Sequence, residues 1–397
     1  MIEPHKPSNS MLHAEMEISH ILANKMFGRL AEKTQVAFPR PGQPEVVRTR
    51  QPHSHEVANS SAIMGFFIDS LQGWTPNSVD YKGSLKPCSL LHDLGHGALS
   101  HPGAELLDKV FKDMGLDEGF SDNNNTLVVI EKNEIAVSDY TIASVIKYPK
   151  KLYPDQVERY LPILEKAIAD DAEHFKSLGL TLMPQTRTIA CQIMDEADRN
   201  TYICSDLSDF LCLGNTISVE TLKEMSRRHD ASHCSDELLA LIELLRTGNK
   251  STIKSYFNML KNRFNTNFRL TPNGLEVINK TLHDYREFLW EVEFELYITP
   301  LRANEFHLRN MARLQAYIDK VMNTNFYPSK TYRRKIEAAE KNGDTLGALR
   351  AKRDMIGEVT DWYITKIHHT AASAASLPSE PILDGGLYAP IQPETLS

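Results

Sequence analysis

The chain is short of the features that mark several protein classes. Only five of its 397 residues are cysteine, and no two form a Cys-x-x-Cys pair. Cys88, Cys191, Cys204, Cys212 and Cys234 therefore read as reduced thiols of a cytoplasmic protein, and a thiolate-rich structural zinc site is excluded. No uninterrupted apolar run is long enough to span a bilayer. The N-terminal MIEPHKPSNS lacks the basic-then-apolar order of a secretory signal, so a cytoplasmic location without membrane attachment is expected. There is no Gly-rich phosphate loop of the GxxxxGK[ST] type, which removes the usual route to γ-phosphate chemistry. A net charge of −8 argues against a protein that coats nucleic acid, although a local groove for single-stranded DNA is compatible with it. β-Branched alternation is also scarce.

What is present is ordinary globular material, 41% hydrophobic and 24% charged, with enough apolar surface for a substantial core. Apolar residues recur at three- and four-residue spacing in MLHAEMEISHILANKMFGRLAEK, QVERYLPILEKAIADDAEHF, DELLALIELLRT and LRANEFHLRNMARLQAYIDKVM. That period predicts helices. TLVVIEK, after the polar SDNNN, is the best strand or turn candidate, while PRPGQPE and GWTPNSVDYKGSLKP read as loops. The expected architecture is all-α, one mostly helical domain over residues 1–370 with few or no short strands. The small, Pro-containing segment 371–397 is expected to be an extended or disordered tail.

The unusual stretch is CSLLHDLGHGALSHPGAE, Cys88–Glu105. It places His92, Asp93, His96 and His101 within ten residues, in a chain with only 15 histidines. Unpaired imidazoles gain nothing in a core, so the cluster points to a metal or acid–base site. Two other segments carry matching ligand types. His53 stands near the start of a predicted helix in RTRQPHSHEV, and IACQIMDEADRNTYICSDLSDF spaces Asp198, Tyr202 and Asp206 by four, with Asp195 just upstream. That spacing places the three on one helix face. Imidazoles with carboxylates suit a divalent ion such as Mg²⁺, Mn²⁺ or Fe²⁺ and leave positions open for water and substrate oxygens.

The ordered set of His53, then His92–Asp93, then Asp198 resembles the HD-domain phosphohydrolase superfamily. RLAEKTQVAFP followed by VRTRQPHSHEV, LLHDLGHGALSHPGAE, TIASVIKYP, MDEADRNTYICSDLSD and RDMIGEVTDWYITKIH occur in the order of its dGTPase-like branch, the dNTP triphosphohydrolases. The resemblance covers most of the chain and implies an HD-type helical fold with added helices. It implies that His53, His92, Asp93 and Asp198 are metal ligands. Arg50 would meet the α-phosphate, and Lys147 and Tyr148 the polyphosphate. Gln35 and Asp206 would hydrogen-bond the sugar 3′-hydroxyl, with Tyr202 beneath the sugar excluding a 2′-hydroxyl. His96 would contact substrate, and His101 would be the catalytic histidine. The family has an acid three residues after that histidine. Here the position is Ala104, with Glu105 next, and helical spacing makes Glu105 the candidate partner. The segment Phe120–Val128 departs as well, with Asn125 and Val128 where the family has Gln and Arg, so preference for guanine is less firmly implied than the reaction.

The expected function is metal-dependent hydrolysis of deoxynucleoside triphosphates, dGTP first, to deoxynucleoside and inorganic triphosphate. His101 would protonate the leaving 5′-oxygen or position the attacking water. A homo-oligomer (dimer, tetramer or hexamer) is implied by the family, and the apolar REFLWEVEFELYITPL segment is either an interface or buried within the chain. Two alternatives use the same ligands: another HD phosphohydrolase, of 5′-nucleotidase or phosphodiesterase type, and a non-catalytic nucleotide sensor.

Overall fold

The computed structural model describes residues 9–36 and 48–365. The tail 371–397 and PRPGQPE lie outside the described residues. Among those described the chain is α-helical, apart from short 3₁₀ and π turns and one antiparallel hairpin, Phe268–Thr271 with Gly274–Val277. The all-α expectation holds, and the hairpin falls within its allowance for short strands.

The frame is a helix pair. In the helix Arg50–Gln72, buried positions recur as His53, Val57, Ser60–Ser61, Met64–Gly65 and Ile68, a single stripe at helical period. Gly73, at φ 68°, ends it in the left-handed conformation that glycine adopts freely. The stripe packs on helix Leu85–Leu91 and on helix Ile189–Cys212. Small residues allow a close crossing: Ser61 and Ser89 hydroxyls lie 2.9 Å apart, and a Cβ on Gly65 would sit 2.7 Å from Leu85 Cδ1. Val57, Met64, Ile68, Leu91, Ile193 and Met194 share this core. Fully burying each such side chain contributes about 1.5–3 kcal/mol. The second half of helix Ile189–Cys212 enters another core with Phe257, Phe264, Phe288 and Leu289. A third joins Leu107 and Phe111 to Tyr317, Tyr332 and Met355.

Two local readings are corrected, and a third, left open between two alternatives, gains detail. TLVVIEK lies within helix Asp122–Lys132, because the Ser121 hydroxyl caps its N-terminus and Leu127, Val129 and Ile130 are buried against the first core. The long N-terminal helix breaks at Asn24, whose side chain caps Met26 and starts a new short turn. In REFLWEVEFELYITPL the residues Phe288, Leu289 and Val292 are buried in the chain itself, leaving Phe294 38% exposed.

Both ends of the described chain brace the histidine loop. Asp361 Oδ2 accepts the Thr34 N–H at 2.9 Å and its hydroxyl at 2.7 Å, while Oδ1 accepts the Leu99 N–H at 2.7 Å. Leu99 and Ser100 both lie in the left-handed region, φ 63° and 58°, which a side chain makes costly. Gly95 fits against the first turn of helix Asp122–Lys132 so tightly that a Cβ would fall 2.0 Å from Thr126 N and 2.3 Å from Asp122 O. Gly97 faces only Leu107 and Phe120 side chains at 3.5 Å or more. Gly95→Ala is therefore expected to destabilise by about 1–3 kcal/mol. Gly97→Ala should stay within about 0.5 kcal/mol, as substitutions without a clash do. Urea unfolding of the two variants beside the wild type reads the difference.

Candidate metal centre and cleft

The first turn of helix Arg50–Gln72 delivers Arg50 and His53. The end of helix Leu85–Leu91 delivers His92 as its cap, then Asp93, and Asp198 comes from the third turn of helix Ile189–Cys212. All four expected ligands meet. His53 Nε2 lies 3.0 Å from Asp198 Oδ1 and 3.9 Å from Asp93 Oδ2. His92 Nε2 lies 3.4 Å from Asp93 Oδ1 and 3.4 Å from Asp198 Oδ1.

The donor set fits a divalent ion. His92 Nδ1 donates to the Ser89 carbonyl at 2.6 Å, which fixes the tautomer and leaves Nε2 buried without a hydrogen-bond partner, aimed at two carboxylates. Burial works against charge on these groups, but the cluster overrides it. Asp93, beside His92 and Arg50, and Asp198, beside Lys147 and His92, are held well below the usual carboxylate range. Burial also opposes charging His92, yet Asp93 and Asp198 hold its pKa above the ordinary 6.5.

Two buried cations complete the cluster. Arg50 places one guanidinium nitrogen 2.8 Å from Asp93 Oδ2 and another 2.9 Å from the Ser100 hydroxyl. Lys147 Nζ donates to Asp198 Oδ2 at 2.8 Å and lies 3.2 Å from Asp195 Oδ1. Burial disfavours the Lys147 ammonium, but Asp198 and Asp195 raise its pKa further than burial lowers it. Both cations line a polar cleft of about 1110 Å³, together with His92, Asp93, Asp198, Gln35, Tyr148 and Tyr202.

His96 and His101 also line this cleft, with ring centroids 5.3 Å apart, edge to face. His96 Nε2 is 3.1 Å from Asp93 Oδ1 and its Nδ1 is 3.0 Å from Asp122 Oδ2. Glu105 lines the cleft one turn beyond His101, but no hydrogen bond or ion pair joins the two. The carboxylate beside the ring is instead Asp122, 3.9 Å from His101 Nδ1. Desolvation, His96 and Arg50 hold the His101 pKa below the ordinary 6.5, an effect moderated by solvent because the side chain is 63% exposed.

The sugar-side residues divide. Gln35 and Tyr202 line the cleft, and the Gln35 Oε1 is buried without a partner. Asp206 does not line it. Asp206 is buried against Glu293, which begins the π-helical turn at Phe294–Ile298. Burial and the nearby acid Asp209 push Asp206 up to about 7, although Arg48 pulls the other way, and burial beside Asp206 drives Glu293 well above the carboxylate range. Sequence reading missed Glu293, Asp122, and Lys33, whose buried ammonium is hydrogen-bonded to the His96 carbonyl and pushed down to about 7 by burial and Arg29. For Asp122 a signal existed, since Ser121–Asp122 has the cap-then-acid pattern of a helix start.

Helices on every side of a buried two-His, two-Asp cluster define an HD-type metal fold. No family model matches the chain. It is 24% identical over 322 residues to a deoxyguanosinetriphosphate triphosphohydrolase-like protein of Shewanella oneidensis, covering 70% of this chain and 71% of that protein. A protein of the same description from Bifidobacterium longum is 27% identical over 53% of this chain, and one from Wolinella succinogenes 28% over 50%. The chain spans less than half the length of those two, 44% and 48%. With the fold, these matches support a dGTPase-like HD-domain family for the chain. No described helix is long and apolar enough to cross a membrane.

Two outcomes test the centre. Asp198→Asn should weaken Mn²⁺ binding by more than about 100-fold, as read by elemental analysis after dialysis, because a lost ligand costs more than a lost ligand support. Asp195→Asn, which breaks only contacts to Lys147 and Arg187, should keep the ion. Because His92 holds its proton above pH 6.5, that proton competes with the ion. Affinity should be full above the raised pKa and fall about tenfold per pH unit below it. Calorimetric Mn²⁺ titrations between pH 8 and 6 measure that slope.

Proposed function

We propose that the protein is a divalent-metal-dependent hydrolase of deoxynucleoside triphosphates, releasing deoxynucleoside and inorganic triphosphate. The carrying observation is that Arg50 and Lys147 bond to Asp93 and Asp198 of the metal cluster itself, at the wall of one cleft. Charge-neutralising groups thus stand where an α-phosphate reaches the centre, rather than a γ-phosphate loop's distance away. His53, His92, Asp93 and Asp198 would hold Mn²⁺, Mg²⁺ or Fe²⁺, which supplies polarisation of a phosphate oxygen and acidification of water.

The chain's own groups supply the remaining steps. The planar fork of Arg50 binds phosphate oxygens, and Lys147 neutralises charge that builds on the leaving triphosphate. Tyr148, 49% exposed, extends that wall. His101 is largely uncharged in the free protein at neutral pH, so its ring orients the attacking water until the polyphosphate's negative charge raises its pKa. A protonated ring then serves the leaving 5′-oxygen. On the sugar side, Gln35 offers its unpaired Oε1 to the 3′-hydroxyl and Tyr202 closes the space a 2′-hydroxyl would need. Asp206 acts behind them, through the Glu293 pair. Homo-oligomer formation and a cytoplasmic location belong to this proposal and rest on the family resemblance.

Metal-stripped protein given each dNTP or GTP, with Mn²⁺ or Mg²⁺ restored, is expected to yield deoxynucleoside and intact triphosphate by ion-pair chromatography, dGTP fastest. Asp93→Ala should abolish the products. Monophosphate or diphosphate products would move the protein to another HD phosphohydrolase type, and no turnover even with a second dNTP added would favour the sensor. In the same assay Tyr202→Ala should raise GTP turnover relative to dGTP by about tenfold, the scale on which pocket shape discriminates.

A further inference from the structure

We propose that Asp122 is the positioning carboxylate of the cleft, holding His96 and His101 in register from the neighbouring helix; this rests on the hydrolase reading above. The geometry that carries it is a single side chain with one oxygen bonded to the loop and the other facing two imidazoles. Oδ1 accepts the Gly97 N–H at 3.0 Å, which ties it to the backbone of the histidine loop. Oδ2 stands 3.0 Å from His96 Nδ1 and 3.9 Å from His101 Nδ1.

Asp122 is itself well fixed. It is the first residue of a helix capped by Ser121, whose N–H donates to the Tyr153 hydroxyl at 2.8 Å. Four residues on, Thr126 Oγ1 accepts the Gly95 N–H at 3.0 Å, and Asn125 Nδ2 donates to the Gly95 carbonyl at 2.7 Å. The helix and the loop therefore move as one body. On His101's own helix residue 104 is alanine, and no hydrogen bond or ion pair joins Glu105 to the ring.

The chemistry follows from the nitrogen that is held. On His101, a carboxylate on the Nδ1 side favours the proton there and leaves Nε2 to exchange protons or orient water. One carboxylate thus lies beside both rings, and its charge acts on both. A rival reading has the same three groups holding a second cation, since His96, His101 and Asp122 offer ligand atoms within 4.8 Å of one another. The Gly97 N–H already bonded to Asp122 Oδ1 favours positioning, since it commits that oxygen to the loop backbone.

The test uses Asp122→Asn, which keeps the Oδ1 acceptor for Gly97. On the substrate found by product analysis, kcat is expected to fall about 100-fold, the usual size of an acid–base contribution. KM should rise much less than kcat falls, because the phosphate-facing Arg50 and Lys147 are untouched. In the His101→Ala background the same change should cost far less than it does alone, the remainder passing through His96. In the metal-loaded protein without substrate, the His101 ring resonance, assigned by its absence in His101→Ala, should titrate at lower pH once the negative charge is removed. Full additivity in the double variant, or an unmoved His101 midpoint, overturns the proposal. Loss of one equivalent of bound Mn²⁺ in Asp122→Asn overturns it in favour of the second cation. Should Asp122→Asn fail to fold, Asp122→Ser, whose hydroxyl can still accept from Gly97, carries the same measurements. If no protein turns over any nucleotide the hydrolase reading fails, while the ring titration still decides the role of Asp122.

Discussion

The cleft depends on one strained turn. Leu99 and Ser100 are consecutive side-chain-bearing residues in the left-handed region, a conformation that costs on the order of 1–3 kcal/mol per residue and persists only where its surroundings over-determine it. They do so here from four directions. Asp361 takes the Leu99 N–H, the Gln35 carbonyl takes the Ser100 hydroxyl at 3.0 Å, Arg50 donates to that hydroxyl, and Lys33 takes the His96 carbonyl. Remote segments of the chain thus converge on a few peptide units. The product of that convergence is the direction in which the helix bearing His101 departs, so the brace made by the C-terminal Asp361 belongs to the site as much as to the fold.

The charges at the centre explain why stability alone would not retain them. Arg50, Lys147, Asp93 and Asp198 are all substantially buried, and a buried ion pair returns little net stability because desolvation consumes its Coulombic gain. Removing one partner from such a set is worse than removing the set, since an uncompensated charge remains, at about 3–5 kcal/mol. Under the proposed function the arrangement makes physical sense as a cage whose members would exchange partners: carboxylates that now neutralise Arg50 and Lys147 would turn to an ion, freeing both cations for phosphate oxygens. The Asp206–Glu293 pair is of a different kind, two acids that share a site because at least one is protonated near neutral pH.

Much of this was legible before any coordinates. The helices declared themselves by period, while His53, His92, Asp93 and Asp198 came as a set from the resemblance to HD-domain phosphohydrolases, which their residue types suit. What escaped the sequence escaped for physical reasons. Val128, Val129 and Ile130 carry strand propensity, but an N-cap and burial on one face outweigh a preference of tenths of a kcal/mol. The hairpin at 268–277 has four-residue strands, too short for alternation to register. Helical arithmetic put Glu105 on the face of His101, yet sharing a face does not bring a carboxyl to a ring nitrogen. Asp122 lies 21 positions from His101, and only the packing of Gly95 against Thr126 brings them together.

That displacement has a consequence for how such a site varies. An acid on the histidine's own helix orients one ring and is fixed by one helix. An acid on a neighbouring helix faces whatever the shared loop presents, here the rings of His96 and His101, and its placement depends on how closely the two helices approach. The close approach requires Gly95, because any Cβ there would enter the backbone of the opposing turn. Ala104 is then free to be small, and the first turn after His101 need carry no charge. In the arrangement proposed above, the carboxylate beside His101 sits across a helix crossing, which the loop couples to the left-handed turn at Leu99 and through that turn to Asp361.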